Sequence, residues 1–450
     1  MATPNKSNQL NTPPIIAGLA SSEAMRSIAE CAETPFLLLS LDAGSKIDIT
    51  ASGLDRMASI MADSGASVIY SDFRTINPDG SSVITQCIDY RPGSVRDDFN
   101  FGTAVLVNTE MLKQAVAEMP HGYQHAAWYD VRLRLSEKGP ILHLPEVIYS
   151  VLPAETGNSD SEQVHFAYVD PRNAGVQTEM EKAFTAYLKR IGAWLPQQTA
   201  TADFGQDFPV EASVVIPVKN RVDTIGDAIF SALDQQADFL FNVIVVDNHS
   251  TDGTTDVIRR LADDPRLIHI IPEETSLGIG GCWNRAIADP RCGRFAIQLD
   301  SDDIYSSSST LTTIVDCFRR EKCAMVVGAY SLTDFNLNPI PPGTIDHREW
   351  TPENGHNNLL RVNGIGAPRA FATAIARRFP FPDVSYGEDY AMALRISRSY
   401  SIGRIFDVLY LCRRWNGNSD ASPSAEKINR FNSYKDSLRS WEIAARKKGL

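Results

Sequence analysis

Two short β-branched runs separated by a helical pattern constrain the fold of this chain most strongly. The first run extends from Val214 to Pro217, and the second from Phe241 to Val246. The segment between them, from Thr224 to Leu233, has helical periodicity. A strand, a helix and a strand within about thirty residues form a βαβ unit, whose strands are parallel and whose sheet is covered by helices. The sequence therefore predicts an α/β domain here.

Polar residues follow each of these strands, at the position where ligands bind in open α/β sheets. The segment 219–221 follows the first strand, and the segment 247–254 follows the second. Residues 250–252 have an alternative role as caps of a helix that begins near Thr254. Asp247 lies earlier, at the tip of the strand, and is the better ligand candidate.

An acidic cluster, Asp300-Ser301-Asp302-Asp303, directly follows the apolar run from Phe295 to Leu299. Carboxylates crowded at the end of a buried strand repel one another, and a bound cation or a cationic substrate offsets that cost. The cluster therefore indicates a metal site.

Composition limits the classes of protein to which such a site can belong. A chain of 450 residues is expected to form two or three domains. Its net charge of −12 argues against a protein whose main partner is nucleic acid, because phosphate contacts need clustered lysine and arginine. The seven cysteines are odd in number and lack CxxC spacing, so neither a disulfide framework nor a zinc knuckle is indicated. Reduced thiols are expected.

The two ends of the chain bear on its location. The N-terminus lacks the regions of a signal peptide, and no stretch reaches the roughly 18 apolar residues that cross a bilayer, so a cytoplasmic protein is expected. Apolar residues recur at helical spacing from Ile428 to Trp441, flanked by lysine and arginine. We expect an amphipathic helix over 421–450 that packs on its own domain. Peripheral attachment to the inner face of an anionic membrane is the alternative.

The order and spacing of these segments resemble those of the family 2 glycosyltransferases, which use nucleotide-sugar donors and have the GT-A fold. The family often has arginine at the position of Trp283 and histidine at the position of Trp415, which are two departures from its pattern. The segments that carry the resemblance are 213–220, 244–254, 281–284, 299–303 and 387–390.

The resemblance implies roles for individual residues. Asp300 and Asp302 form the DxD element, in which Asp302 binds Mg²⁺ or Mn²⁺ and Asp300 faces the ribose or the donor sugar. Glu388 and Asp389 are the implied catalytic residues, with Asp389 as the general base; the alternative is that both are first-turn residues favoured by the helix dipole. The implied nucleotide-sugar contacts are Pro217, Asn220, Arg221, Asp247, Asn248, Gly281, Asp300, Ser301 and Arg414, and the candidate acceptor contacts are Arg369, Asp383 and Tyr386.

The first half of the chain is similar to the later part of the second half. Leu133 to Ser136 matches Leu394 to Ser397 at an offset of 261, and Leu41-Asp42 matches Leu299-Asp300 at an offset of 258. Residues 44–45 and 127–128 of the first copy lack the carboxylates of their counterparts. We therefore expect a GT-A-like module without activity, which binds acceptor, dimerises or braces the catalytic domain.

The predicted organisation is a truncated GT-A-like module over 1–195, a linker over 196–210, a catalytic α/β domain of the GT-A type over 211–420, and the C-terminal helix. The predicted function is metal-dependent, inverting transfer of a sugar from a nucleotide sugar, with a UDP-sugar favoured, to a glycan or lipid-linked glycan. A sugar-phosphate nucleotidyltransferase is one alternative, although segment 217–220 is not its basic glycine-rich loop. A non-catalytic glycan-binding or scaffold protein is the other. A homo-oligomer is a further expectation.

Overall fold

The computed structural model describes residues 18–153, 174–198, 200–415 and 424–449. The chain divides into two units. The first contains the described residues 18–153, 175–192 and 425–440, and the second contains the rest. Each unit is built on one mixed β-sheet, so the mixed α/β fold that the sequence predicts is confirmed.

The first unit has a six-stranded sheet. Its strands are β1 (Phe36–Ser40), β2 (Lys46–Ile49), β3 (Val68–Ile76), β4 (Ser82–Thr85), β5 (Ala104–Asn108) and β6 (Ile141–Leu152). Its helices are α1 (Ser22–Cys31), α2 (Ala51–Ser64), α3 (Thr109–Glu118), α4 (Ala127–Lys138) and α5 (Ala174–Arg190). The strand order is β1-β5-β3-β6-β2, and β4 pairs with β3.

Side-chain caps fix where three helices of the first unit begin. Ser21, Thr50 and Asn108 precede α1, α2 and α3, and each side chain accepts a hydrogen bond from a backbone N–H of the first turn. Helix α2 ends at Gly65, whose φ of 66° lies in the left-handed region that glycine adopts without strain. These local signals fix the ends of the helices.

The second unit has a nine-stranded sheet. Its strands are β7 (Ala212–Val218), β8 (Phe241–Asp247), β9 (Leu267–Ile270), β10 (Phe295–Gln298), β11 (Ile304–Tyr305), β12 (Met325–Thr333), β13 (Pro339–Ile345), β14 (Arg369–Ala372) and β15 (Ile402–Arg413). Its helices are α6 (Ile225–Leu233), α7 (Thr254–Leu261), α8 (Ile279–Ala288), α9 (Thr310–Glu321), α10 (Gly355–Asn358), α11 (Thr373–Arg378) and α12 (Glu388–Ser397). The strand order is β11-β15-β12-β14-β10-β7-β8-β9, and β13 pairs with β12.

The predicted βαβ unit is confirmed. Strands β7 and β8 are parallel, with Val214 opposite Val243, and α6 connects them. On its other side β7 pairs with β10, also in parallel. That pairing ends at Val215, before Pro217. Proline has no backbone N–H, and at this position none is needed for a hydrogen bond to β10. The buried positions of these strands explain their continuous apolar sequence.

Six strands have the same arrangement in both sheets. The order β1-β5-β3-β6-β2 corresponds to β10-β14-β12-β15-β11, and in both sheets an additional strand pairs with the long central one. The directions agree as well, since β3–β6 and β12–β15 are parallel while β1–β5 and β10–β14 are antiparallel. Within the described residues, the first sheet has no counterpart of β7, β8 and β9. This topology supports an internal repeat of the later part of the second unit.

The segment predicted as a linker packs on the second unit where it is described. The backbone N–H of Ala202 donates to the carbonyl of Lys322 (2.9 Å), and the ring of Phe204 meets Phe295 edge-on with 5.0 Å between centroids. Residues from Ala193 onward group with the second unit.

A C-terminal helix, α13 (Ala425–Lys447), is present as predicted, but its buried face is not the predicted apolar stripe. Leu438 of that stripe is buried, whereas Ile428 and Trp441 are exposed. Charged residues of α13 are buried in place of the stripe. Salt bridges such as that between Arg446 and Glu442 (2.8 Å) offset the cost of desolvating these charges. No helix in the described part of the chain is long and apolar enough to cross a membrane. The buried charged residues of α13 are Lys435, Asp436, Arg439, Glu442 and Arg446.

Candidate functional site

The carboxyl ends of β7, β8 and β10 lie at one edge of the second sheet, because the three strands are parallel. Hydrogen bonds join the loops that follow them. The backbone N–H of Thr251 donates to Oδ1 of Asn220 (2.8 Å), and the hydroxyl of Thr224 donates to the carbonyl of Ser301 (2.8 Å). The strand-end segments singled out in the sequence therefore come together at one place.

Asp300 is held in position by two polar side chains of the sheet. Nε2 of Gln298 donates to both of its carboxylate oxygens, at 2.9 Å each, and the backbone N–H of Asp300 donates to the hydroxyl of Tyr410 (3.0 Å). Burial raises the pKa of Asp300, and the charge of Asp302 adds to that shift, while Arg369 and Gln298 oppose it. The carboxylate is thus fixed in direction and destabilised in its charged form.

Asp302 and Asp303 have different surroundings although they are adjacent. Asp303 is buried, its Oδ1 accepts the backbone N–H of Arg413 (2.8 Å), and burial with the charges of Asp302 and Asp300 raises its pKa well above the ordinary value. The Asp302 carboxylate is partly exposed and lies 3.6 Å from Nε of Arg221. Three crowded carboxylates, two of them resisting ionisation, are a donor set that fits a hard divalent cation. Asp300 and Asp302 are partly exposed, whereas Asp303 is buried.

Asp247 organises the loop after β8. It is fully buried, its Oδ1 accepts the backbone N–H of Ser250 (3.0 Å), and its Oδ2 accepts the hydroxyl of Thr255 (2.6 Å). Burial acts to raise its pKa, but hydrogen bonds from His269, Thr255 and Ser250 hold the pKa below the ordinary value. The protein therefore uses both carboxylate oxygens to shape the loop. A carboxylate oxygen can accept more than one hydrogen bond, so the ligand contact of Asp247 stays a prediction.

Asn248 presents an unused acceptor beside Asp247. Its Nδ2 donates to the carbonyl of Leu277 (2.7 Å), while its Oδ1 is buried and accepts no hydrogen bond within the described residues. Nearby, Oδ1 of Asp252 accepts the hydroxyl of Thr254 (2.6 Å) at the start of α7, whose N-cap residue is Gly253. A buried acceptor without a donor is costly unless a ligand supplies one.

Asp389 lies in the first turn of α12 and forms a salt bridge with Arg369. The distance from Nη1 of Arg369 to Oδ2 of Asp389 is 2.9 Å. The backbone N–H of Arg369 donates to Oε1 of Gln298 (3.1 Å), the same side chain that holds Asp300. Burial acts to lower the pKa of Arg369, but Asp389, Asp300 and Glu388 raise it above the ordinary value. One arginine therefore links the acidic cluster to the pair Glu388-Asp389.

Glu388 is buried beside Asp389. Its Oε2 has no hydrogen-bond partner within the described residues. Burial first, and then the negative charge of Asp389, raise the pKa of Glu388 to about 8. A carboxyl with such a pKa holds its proton at neutral pH and can exchange it close to that pH.

The glycines at the start of α8 have a packing role. A methyl group on Gly280 would overlap the carbonyl oxygen of Pro382, and one on Gly281 would overlap the carboxylate of Asp383. Asp383 in turn accepts the backbone N–H of Gly278 (2.7 Å). The glycines therefore allow the protein's own 382–384 segment to approach α8 closely. This packing is enough to explain the two glycines, and the contact of Gly281 with a nucleotide sugar stays a prediction.

The two arginines after β15 differ in their surroundings. Arg413 is buried, with its Nε donating to the carbonyl of Asp302 (2.6 Å) and its Nη1 paired with Asp227 (2.7 Å). Arg414, the predicted contact, is half-buried and its backbone N–H donates to the carbonyl of Thr333 (2.8 Å). The family-like segment continues into 416–423, which lies outside the described residues.

The other predicted contacts lie around the same edge. Pro217 is half-buried near the end of β7, and Asn220 is exposed with a φ of 54°, a left-handed conformation that asparagine adopts more readily than most residues. Ser301 is buried and uses its carbonyl to bind Thr224.

Sequence reasoning missed Gln298 and Tyr410. Gln298 is the one polar residue in the run from Phe295 to Leu299, and that exception was the available signal. Tyr410 has Tyr149 as its counterpart in the repeat, at the offset of 261. The Tyr149 hydroxyl accepts the backbone N–H of Thr103 (2.9 Å), so a tyrosine holds a backbone segment in both copies.

Part of the chain has counterparts in known proteins. Residues 213–384 match the family described as Glycosyl transferase family 2. This stretch lies within the second unit. The matched stretch includes the strand-end residues and the acidic cluster, and it ends shortly before Glu388.

Related proteins are glycosyltransferases by name. A putative teichuronic acid biosynthesis glycosyltransferase, TuaG of Bacillus subtilis (strain 168), is 32% identical over 128 residues, which are 28% of this chain and 50% of that protein. The UDP-Glc:alpha-D-GlcNAc-diphosphoundecaprenol beta-1,3-glucosyltransferase WfaP of Escherichia coli is 29% identical over 189 residues, which are 41% of this chain and 69% of that protein. The chain thus spans half the length of the first relative.

Solved structures are similar at a lower level. S. aureus TarS 1-349, crystallised in complex with UDP-GlcNAc, is 20% identical, with a TM-score of 0.40, and the match covers 52% of this chain and 72% of that one.

Proposed function

We propose that the second unit transfers a sugar from a nucleoside diphosphate sugar to an acceptor hydroxyl, with inversion at the anomeric carbon. The observation that carries this proposal is the network from Asp300 through Gln298 and Arg369 to Asp389. The network holds two carboxylates in one rigid arrangement. Asp300 is suited to the donor side, and Asp389 is suited to proton removal. Catalysis of this kind depends on such fixed positions.

The nucleoside would bind beside the loops after β7 and β8. The buried Oδ1 of Asn248 is an acceptor for an N–H of the base, and uracil offers one at its ring nitrogen. Asn220 and Arg221, on the exposed part of the first loop, would contact the ribose and phosphates. The name of the Escherichia coli relative specifies UDP-Glc, which agrees with a uridine nucleotide.

Asp302 would hold the divalent cation, with Asp300 facing the donor sugar or ribose. When bound, Mg²⁺ or Mn²⁺ neutralises negative charge on the departing diphosphate. Arg221 lies 3.6 Å from Asp302 and would turn to the diphosphate when a donor is present. Arg414, half-buried at the end of β15, is a second candidate for that contact.

Asp389 would act as the general base. The acceptor oxygen attacks the anomeric carbon, the bond from that carbon to the diphosphate oxygen breaks, and the acceptor proton goes to Asp389. Arg369 positions the Asp389 carboxylate at 2.9 Å. Glu388, protonated near neutral pH because its pKa is about 8, would keep a second negative charge away from the base.

A glycan or lipid-linked glycan is the proposed acceptor. The names of the relatives refer to teichuronic acid biosynthesis and to a diphosphoundecaprenol-linked sugar. These names support the proposal that the reaction belongs to polysaccharide biosynthesis.

The first unit is proposed to be a GT-A-like copy without activity. Asp42, the counterpart of Asp300, accepts the backbone N–H of Gly44 (2.9 Å) and the hydroxyl of Ser45 (2.5 Å), and the Ser45 hydrogen bond lowers its pKa. Helix α4 begins at Ala127 and Trp128, where α12 has Glu388 and Asp389. The unit therefore lacks the groups that the second unit uses, and acceptor binding, dimerisation or bracing remain as its roles.

A thermal-shift screen tests the donor class. UDP, GDP, ADP, CDP and their sugars are added to the full chain with and without Mn²⁺, because a ligand that binds only the folded state raises Tm by mass action. We expect the uridine compounds to raise Tm only with the metal, and Asn248→Ala to weaken their binding about tenfold. No shift with any nucleoside diphosphate and Mn²⁺ or Mg²⁺ would contradict the proposal.

A further inference from the structure

A cluster of two thiols and one carboxylate lies at the sheet edge opposite to the candidate active site. Cys317 and Glu321 belong to the last turns of α9, and Cys323 lies just before β12. The two Sγ atoms and one carboxylate oxygen of Glu321 are all within 4.8 Å of one another. Within the described residues, no other three histidine, cysteine or acidic side chains meet in this way. Both cysteines are buried, whereas Glu321 reaches the surface.

The end of α9 explains why the two cysteines meet. Lys322 follows the helix with a φ of 52°, in the left-handed region, and its backbone N–H donates to the carbonyl of Phe318 (2.9 Å). This turn reverses the chain and places Cys323 beside Cys317. The spacing between them, with five intervening residues, is not a CxxC spacing, so the sequence pattern gave no metal signal here.

Gly403 shows that the three donor atoms converge on one small volume. A methyl group on Gly403 would lie 2.9 Å from Sγ of Cys323, 2.9 Å from Oε2 of Glu321 and 3.0 Å from Sγ of Cys317. The φ angle of Gly403 is not in the left-handed region, so its backbone conformation does not require glycine. Any larger residue at this position of β15 would fill the space between the donor atoms.

We propose that Cys317, Glu321 and Cys323 bind a Zn²⁺ ion, with water as the fourth ligand. A tetrahedral ion with Zn–S distances of about 2.3 Å and Zn–O distances of about 2.1 Å holds its ligand atoms about 3.6 to 3.8 Å apart. The donor atoms of the cluster already lie within 4.8 Å of one another, so small side-chain movements are sufficient. Thiolate ligands favour zinc over the Mg²⁺ or Mn²⁺ proposed for the donor site.

Zinc binding at this site would depend on the pH, because the metal binds the thiolate form of cysteine. Each thiol that becomes a zinc ligand gives its proton to the solvent, so binding one ion releases about two protons and weakens as the pH falls. The ion would fasten the end of α9 to the segment that leads into β12.

Cobalt titration of the full chain tests this site independently of the transferase proposal. The chain is reduced and stripped with a chelator, and the Asp302→Ala variant provides the background that lacks the proposed donor-site metal ligand. We expect one Co²⁺ per chain to produce thiolate-to-cobalt charge-transfer absorption, which Zn²⁺ then removes. Calorimetry in buffers of different ionisation enthalpy is expected to show about two protons released per Zn²⁺.

Three variants separate the ligands from general effects on the fold. Cys317→Ser with Cys323→Ser is expected to abolish the cobalt absorption, and Glu321→Gln, at a surface side chain, is expected to lower zinc affinity at least about tenfold. Cys292→Ser, at another buried cysteine of the same unit, is the matched control and should change neither. The proposal is overturned if reduced wild-type chain gives no thiolate absorption, if Glu321→Gln binds zinc as tightly as wild type, or if mass spectrometry finds a Cys317–Cys323 disulfide in a chain that binds no zinc after reduction.

Discussion

Nη1 of Arg369 lies 2.9 Å from Oδ2 of Asp389, and the backbone of the same arginine is hydrogen-bonded to Gln298. Because Gln298 also holds both oxygens of Asp300, the two acidic motifs are parts of one network and are not independent sites. Strand β14, which begins at Arg369, is antiparallel to β10 and provides this connection. Arg369 therefore fixes the positions of the two motifs relative to each other.

Asp389→Asn is expected to remove transfer and leave donor binding intact. The amide cannot accept the acceptor proton, so kcat should fall by about 10²- to 10⁴-fold, the usual contribution of a general base. The Asp302 region is unchanged, so Kd for nucleotide and Mn²⁺ should stay within about twofold of wild type. Initial rates with a donor found in the screen, together with calorimetry, measure both quantities.

Asp316→Asn is the control for this experiment, since Asp316 is an exposed acid of the same unit on α9. It should retain wild-type rates. Transfer at the wild-type rate by Asp389→Asn would show that another group removes the proton.

Asp302→Ala is expected to abolish metal-dependent nucleotide binding. The Asp302 carboxylate is partly exposed and is the proposed ligand of the cation, so its removal takes away the direct protein ligand. The rise in Tm that Mn²⁺ and nucleotide produce together in wild type should disappear in this variant. Nucleotide without metal should have the same effect on Tm in both proteins.

The internal repeat supplies a matched control for that variant. Asp42→Ala removes the acid of the first unit that corresponds to Asp300 of the same cluster, and its carboxylate accepts hydrogen bonds from Gly44 and Ser45. It should leave the metal response as in wild type. A metal response lost in Asp42→Ala and kept in Asp302→Ala would assign donor binding to the first unit.

The parts of the fold that local pattern determines were predictable from the sequence. The apolar run 214–217 and the segment 224–233 gave β7 and α6, and the acidic cluster was placed correctly at the end of β10. Parallel strands bring their carboxyl ends to one edge, so the meeting of segments 219–221, 247–254 and 300–303 followed from the βαβ pattern alone.

The contacts between distant elements were not predictable in this way. The role of Arg369 depends on β14 lying antiparallel between β10 and β12, a pairing that no local pattern encodes. The burial of α13 depends on salt bridges such as Arg446 with Glu442, which reverse the usual rule that the apolar face is the buried one. Likewise, the position of Asp247 at a strand tip does not reveal that Ser250 and Thr255 donate hydrogen bonds to its carboxylate.

Glu388 gives the second unit a pH-dependent stability. Its pKa is raised from an ordinary 4.5 to about 8, so between these values the folded chain holds a proton that the unfolded chain has released. The free energy of unfolding therefore falls as the pH rises through this window, by up to about 1.4 kcal/mol per pH unit from this group. Glu388→Gln carries no such proton, so we expect its stability relative to wild type to increase from pH 5 to pH 8.

Urea unfolding at several pH values measures this difference. Glu353→Gln, at an exposed glutamate of the same unit, is the control and should follow the wild-type pH dependence. If Glu388→Gln also follows the wild-type curve, Glu388 is ionised in the folded chain at neutral pH and does not have the environment described.

Gly280→Ala is expected to destabilise the second unit although alanine favours helices. Gly280 is the second residue of α8, where a methyl group would overlap the carbonyl oxygen of Pro382, and a backbone atom cannot move aside as a flexible side chain can. Overpacking of this kind costs about 1 to 3 kcal/mol. Because the displaced segment 382–384 leads directly to Glu388 and Asp389, a fall in kcat should accompany the loss of stability.

Gly226→Ala is the matched control, since Gly226 is the second residue of α6 and a methyl group there would meet only Val257, at 3.8 Å. With space available, alanine should stabilise the unit by up to about 1 kcal/mol through its helix propensity and its smaller unfolded-state entropy. The two midpoints of urea unfolding should therefore move in opposite directions. A Gly280→Ala chain as stable as Gly226→Ala would mean that the 382–384 segment can withdraw from α8, and that the glycines are kept for a ligand after all.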